Sequence, residues 1–315
     1  MSFALVLLVA ALLVATVGPL ALDSVCRSTN RPAVALVAWL SGVGAVPVFV
    51  VAAMTMLLWP EHPPIEQAVD AVLGCLSAFH HGSGPWLADS MAILVALGAT
   101  AALARATMCS HRHGVIVRRV RRHHRDTLSV VAHRGGEDDV MRLEHPVPLA
   151  YAVAGRPGFV VLTDGLCAML TDHERAAVLA HERAHLRGHH HRIAACCEVL
   201  ASALPFVPLF VRAPAAVRTL LELLADQDAA RATSPAAVRS ALSTVTTAGT
   251  PPGPPWSLGG GVDTALRLTR LATPTPSRPS GLVCLSAAMA MLALPALAAT
   301  GVVAVSSVST CLLLS

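Results

Sequence analysis

The sequence predicts a mainly α-helical integral membrane protein. About four transmembrane helices are expected, with a cytoplasmic α+β domain inserted between the third and the fourth. Three observations lead there. Only 13% of the 315 residues are charged, 54% are hydrophobic and the mean hydropathy is +0.62, whereas a soluble domain carries about 25% charged residues. Four apolar stretches, residues 3–22, 33–59, 86–106 and about 281–307, reach the roughly 20 residues that cross a bilayer. Between the last two, residues 107–280 mix short β-branched runs with helical patterns. The expected layout is three spans in residues 1–106, the domain in 107–280, and a fourth span with a short tail in 281–315.

Residues 3–22 read as a retained span rather than a secretory signal peptide. No Lys or Arg precedes the apolar core, and no small-x-small cleavage pattern follows it. The chain has no lysine, so orientation rests on arginine. Arg27 and Arg31 lie between the first two spans, and Glu61, Glu66 and Asp70 between the second and third. Arg112, Arg118, Arg119, Arg121, Arg122 and Arg125 follow the third. By the positive-inside rule the first and third of these segments are cytoplasmic, both termini face outside, and the protein is a multi-pass protein of the cell membrane. The basic run beside the third span reads as a topology-fixing cluster, and no direct nucleic-acid binding is expected. Eight scattered cysteines without a CxxC pair agree with a reducing compartment. Cys75 and Cys311 are the two expected outside.

Within the domain, LSVVAH (128–133) reads as a strand and RGGEDD (134–139) as a turn. AYAVAG (150–155) and GFVVLT (158–163) read as two strands joined at Gly155-Arg156-Pro157-Gly158. Thr171 with Glu174 three residues later forms a capping box ahead of DHERAAVLAHERAHLRG, a helix that Gly188 terminates. Residues 193–211 are apolar but interrupted by Glu198, Pro205 and Pro208. They are expected to dip into the membrane surface and return, or to pack inside the domain. VRTLLELLADQDAARA and VDTALRLTRLA read as helices, and so does SPAAVRSALSTV, with Ser234 as cap and Pro235 in its first turn. TAGTPPGPPWSLGGG (247–261) and TPTPSRPS (273–280) are linkers.

Five histidines and one glutamate fall within residues 181–191. His181-Glu182-Arg183-Ala184-His185 matches His-Glu-x-x-His, a pattern that chance placement of 15 His and 8 Glu would produce roughly 0.02 times. Four residues is just over one helical turn, so both imidazoles share a face and can grip one cation. Glu182, beside them, is placed to take a proton from water held there without itself being a ligand. A carboxylate is available at Glu222 on the later helix, with Asp226 one turn on, able to hold an imidazole N–H and fix its tautomer. These two acids could equally be the solvated side of an amphipathic helix. The pairing with the histidines favours ligation, because a catalytic zinc takes three protein ligands plus water. A single membrane crossing in 193–211 would separate Glu222 from the histidines. His189, His190 and His191 suit a helix C-terminus, and a contact from His190 to substrate is a lesser expectation. Tyr151, the only tyrosine, could donate to a transition state, though packing explains it as well.

The stretches LTDGLCAML, ERAAVLAHERAHLRGHH and ELLADQDAA, set between membrane spans, resemble the BlaR/MecR group of membrane metallopeptidases. The related HtpX group shares the His-Glu-x-x-His…Glu-x-x-x-Asp plan. The resemblance covers roughly residues 143–231. It implies a zincin-like (gluzincin) metalloprotease domain holding one Zn²⁺ per chain, with His181, His185 and Glu222 as ligands and Glu182 as general base. HPVPLAYAVAG or GFVVLTDG would be the strand edge that pairs with an extended substrate. Its implied substrate is a cytoplasmic protein, first of all a BlaI-type transcriptional repressor, cut in BlaR-like signalling. A short form, without the extracellular penicillin-binding sensor domain, is the expectation. Residues 193–211 are too short for the two extra spans of the HtpX plan. An HtpX-like quality-control protease of membrane proteins is the alternative, and so is a non-catalytic membrane signalling protein with a structural metal site.

Overall fold

A computed structural model describes residues 2–58, 85–134, 139–155, 157–247, 264–273 and 281–314. Its first helix, α1 (Ser2–Thr16), is followed by α2 (Gly18–Ser28) at a 50° bend. The bend falls where Gly18-Pro19 interrupts the apolar run, since proline cannot supply the N–H that would continue the ladder. The third helix, α3 (Pro32–Leu58), contains a 25-residue span, Pro32–Met56, and a last helix, Gly281–Leu314, contains a 21-residue span, Gly281–Gly301. Among the described residues two helices are long and apolar enough to cross a membrane, or three if the bent α1–α2 pair is one span. The expected third span lies in a 47-residue helix, α4 (Pro85–Val131), which continues straight through the basic run. Among the described residues that helix is not one of the candidate spans.

The expected strand LSVVAH forms only in part. α4 runs on to Val131, and β1 is Ala132–Arg134. A helix already propagating through 118–127 adds one backbone bond for each residue it fixes, which overrides the local β preference of Val130 and Val131. Three strands follow: β2 (Val140–Leu143), β3 (Ala150–Val153) and β4 (Phe159–Thr163). Their order is β1-β2-β4-β3, with β2 parallel to β4 and the other pairings antiparallel. β3 is therefore an edge strand among the described residues. β4 is flanked on both sides, which removes GFVVLTDG as a docking edge. One face of this sheet, with Val140, Ala150, Val160 and Leu162, meets Val178 and Leu179. Tyr151, Val153 and Val161 form a separate cluster with Met141, Leu143 and Phe159, on the other face by strand alternation.

A short helix, α5 (Asp164–Met169), leaves β4 with Thr163 as its cap. It depends on Gly165, whose N–H donates to the His145 carbonyl at 3.0 Å, and whose Cβ, if present, would collide with the Pro146 carbonyl. The helix that carries the histidines is α6 (Asp172–Arg187). Both halves of its capping box are made: Thr171 N–H donates to Glu174 Oε2 at 2.9 Å, and Glu174 N–H donates to Thr171 Oγ1 at 3.4 Å. Gly188 caps its end.

The apolar stretch 193–211 makes two helices rather than a crossing. α7 (His190–Ala203) and α8 (Pro208–Ala232) pack on each other across the break at 204–207. Leu209, Phe210, Ala213 and Val217 of α8 share one apolar cluster with Ala10 of α1 and with Trp39, Val43 and Phe49 of α3. The hairpin is thus continuous with the membrane helices, and it brings the far half of α8 back beside α6. Two more helices finish the domain, α9 (Pro235–Thr247), capped by Ser234 Oγ at 3.1 Å from Ala237 N, and α10 (Thr264–Ala272). The final helix, Gly281–Leu314, is α11 and packs against α1 and α3. Glu61, Glu66, Asp70, Cys75, Arg156, most of the RGGEDD turn and nearly all of both linkers lie outside the described residues, as do the side chains of Arg121, Arg122, Arg125 and Cys311.

Candidate metal centre

α6 and α8 lie against each other through small residues, Ala177 and Ala180 on the first and Ala229 and Ala230 on the second. That close approach places the motif of one helix opposite the acids of the other. His181 Nε2 lies 3.5 Å from Glu222 Oε2, and His185 Nε2 lies 3.3 Å from Glu222 Oε1. The two Nε2 atoms are 3.1 Å apart. One ligand atom from each of His181, His185 and Glu222 therefore falls within 4.8 Å of the others, a group that could hold a metal ion. The separation of two α6 imidazoles from the α8 carboxylate along the chain is bridged by the α7–α8 reversal.

Asp226, one turn beyond Glu222, stands behind the first histidine: His181 Nδ1 is 3.0 Å from Asp226 Oδ1. His185 is backed differently. Its Nδ1 is 2.9 Å from His190 Nδ1, so the structure sets His190 against a candidate metal ligand rather than in open solvent. His189, with φ of 50°, sits in the left-handed region and turns the chain back so that His190 reaches over the end of α6. Gly188 makes room, because a Cβ there would collide with the His190 ring. Burial, with His181 second, pushes His185 down to about 3, and burial pushes His190 down to about 4. Both rings are therefore neutral near pH 7, so one Nδ1 donates and the other accepts. A cation at His185 Nε2 requires the proton on His185 Nδ1, which makes His190 the acceptor.

Burial opposes the charge of His181, but Asp226 and Glu222 outweigh it and hold the ring up at about 9. Burial would likewise raise Glu222, yet His181, His185 and Arg267 hold it down at about 2. Asp226 is held well below the usual carboxylate range, against burial, by Arg267 and His181. Arg267 belongs to none of the sequence motifs. It is 2% exposed, and it donates Nε to Asp226 Oδ2 at 2.8 Å and Nη2 to Asp226 Oδ1 at 2.7 Å, with Nη1 3.2 Å from Glu222 Oε2. The one local hint lies in TALRLTRLA, where Arg267 stands four residues before buried Leu271, on the apolar side of the helix.

Glu182 is fully buried and neither of its carboxylate oxygens completes a hydrogen bond. Burial raises it to about 7, and the charge of His181 partly offsets that rise. A carboxyl so placed, unpartnered and beside both histidines and the edge strand, has no structural task that its surroundings satisfy. Tyr151 is on the same strand, but its ring packs in the apolar cluster on the sheet face away from α6, and burial raises its phenol to about 12.

Residues 118–244 match the sequence model of peptidase family M48. The matched stretch takes in the end of α4, the whole sheet, α5 to α8 and most of α9, and so contains His181, Glu182, His185, Glu222 and Asp226. Arg267 and α10 lie outside it. No curated protein and no solved structure matches the chain. Zinc dependence is a property of the M48 family, and the donors here fit it: two imidazole nitrogens and one carboxylate converge within 4.8 Å of one another.

Proposed function

We propose that the protein is a membrane-embedded zinc endopeptidase that cuts a cytoplasmic protein substrate. The observation that carries this reading is the convergence of His181, His185 and Glu222 beside a buried, unpartnered Glu182. One Zn²⁺ would be held by those three side chains. When bound it would supply Lewis acidity, polarising the scissile carbonyl and making water a better nucleophile. Glu182 then takes the proton of the attacking water and delivers it to the leaving amine. Its raised pKa suits both steps, since it accepts and releases a proton near neutrality. Asp226 and His190 hold the two imidazoles in the orientation that offers Nε2. β3, the edge strand of the sheet, would offer N–H and C=O groups to an extended substrate backbone.

The domain layout behind this proposal keeps residues 107–280 on the cytoplasmic side and both termini outside, as the arginine distribution implies. Among substrates, a BlaI-type repressor is the first to test, because the resemblance to the BlaR/MecR group extends over the zinc motifs. Quality control of membrane proteins is the second reading. It draws support from the α7–α8 hairpin, which ties the site directly to the membrane helices. Reconstituting the full chain with a candidate repressor separates active from inactive site: Glu182→Gln must leave the repressor uncut while zinc stays bound. Cleavage at the wild-type rate by this variant would reject the assignment.

A further inference from the structure

We infer that Arg267 is a positioning residue for both carboxylates of the metal centre, and that α10 holds it there by gripping the connection between α2 and α3. The inference rests on the zinc-site reading above. Its starting point is that α10, outside the stretch 118–244 that matches M48, nevertheless completes the site. Glu222 and Asp226 are one turn apart on α8 and buried, a pairing that costs free energy through like-charge repulsion and desolvation. A planar guanidinium with a fixed fork of donors is suited to offset it. Arg267 spends Nε and Nη2 on the two oxygens of Asp226, which fixes the plane of that carboxylate; the same Oδ1 faces His181 Nδ1 at 3.0 Å. Nη1 engages Glu222 Oε2 at 3.2 Å, which leaves Oε1 directed at His185 Nε2. One arginine thus orients the ligand carboxylate and the carboxylate behind the other ligand.

Three residues on, Arg270 faces the opposite partner. Its Nη1 donates to the Thr29 carbonyl at 3.0 Å and to Asn30 Oδ1 at 2.6 Å, and its Nη2 donates to the Cys26 carbonyl at 3.3 Å. Cys26 lies in the last turn of α2 and Thr29 is its C-cap, so Arg270 satisfies carbonyls that a helix end leaves without an intrahelical donor. Asn30 returns a bond to Thr273 Oγ1 at 3.4 Å. A nine-residue helix is therefore fixed at one end to the α2–α3 connection and at its centre to the metal centre. Displacing that connection would move Arg267 relative to Asp226 and Glu222.

The test measures Zn²⁺ affinity of the full chain in detergent by chelator competition, together with the visible spectrum of the Co²⁺ form, for wild type, Arg267→Ala, Arg267→Lys and Arg270→Ala. Loss of Arg267 is expected to weaken Zn²⁺ binding about 10- to 100-fold, with little rescue by lysine, whose single ammonium cannot take both carboxylates in the fork geometry. Arg270→Ala, which touches no ligand, should weaken binding about 3- to 10-fold and shift the Co²⁺ bands. If Arg267→Ala does not fold, Arg270→Ala and Arg267→Lys decide the matter. Wild-type affinity and an unchanged Co²⁺ spectrum in both would overturn the inference. Wild type that binds no Zn²⁺ at all would instead remove the zinc-site reading, and this inference with it.

Discussion

His185 and His190 meet Nδ1 to Nδ1 at 2.9 Å, so the second histidine of the His-Glu-x-x-His motif is oriented by another imidazole five residues along the chain. The first is backed by a carboxylate, Asp226. A neutral acceptor behind one ligand and an anionic one behind the other makes the two imidazoles unequal donors.

That inequality gives a first prediction. His190→Ala should lower Zn²⁺ affinity by about 10-fold or more, the effect expected on losing a group that orients a ligand. His190→Asn, whose amide oxygen can accept from His185 Nδ1, should recover part of it. Isothermal titration or chelator competition measures both. Equal affinity in wild type and His190→Ala would show that the contact orients nothing.

Gly188 and Gly165 predict two separate backbone effects. Gly188→Ala should displace the His190 ring, whose edge occupies the place a Cβ would take, and so should mimic His190→Ala in metal affinity. Gly165→Ala meets a backbone carbonyl, that of Pro146, which cannot swing away. It should cost about 1–3 kcal/mol, the range for overpacking, and lower the thermal midpoint without a selective loss of metal affinity.

The capping box of α6 predicts a pH-dependent term in stability. Ser240, the Thr171 backbone and Thr171 Oγ1 hold Glu174 below its ordinary 4.5 in the folded chain. A depressed folded pKa means that the contribution is complete above about pH 5 and is lost as pH falls through the folded value. Glu174→Gln should therefore be less stable than wild type at pH 7, by about 1 kcal/mol, the size of a cap. The gap should shrink as pH falls below 4.5. Denaturation at pH 7 and pH 4 measures it; a gap that widens in acid would contradict the assignment.

What could be read from the chain follows the range of the forces involved. His181 and His185 share a face because of the helical period, Thr171 and Glu174 form their box within one turn, and Ser234 caps α9 in the same local way. Glu222 and Asp226 were legible from their i, i+4 spacing once a histidine pair needed a third ligand. Arg267 was not, because its partners lie 41 and 45 residues upstream, and an arginine in TALRLTRLA reads as the solvated side of a short helix. β2 escaped for a similar reason: VMRL is short, and its parallel pairing with β4 is a tertiary choice. Val130 and Val131 misled in the other direction, being drawn into α4 by the helix that precedes them.

The zinc-binding geometry itself is tested most directly by X-ray absorption at the zinc edge on the purified 315-residue chain, alongside its Glu222→Ala variant. One zinc per chain is predicted, with two imidazole nitrogens and two oxygens at about 2.0–2.2 Å, one of those oxygens from solvent, and with zinc lost from the variant. A sulfur neighbour near 2.3 Å, a shell closed by a fourth side chain, or full zinc content in Glu222→Ala would contradict the account.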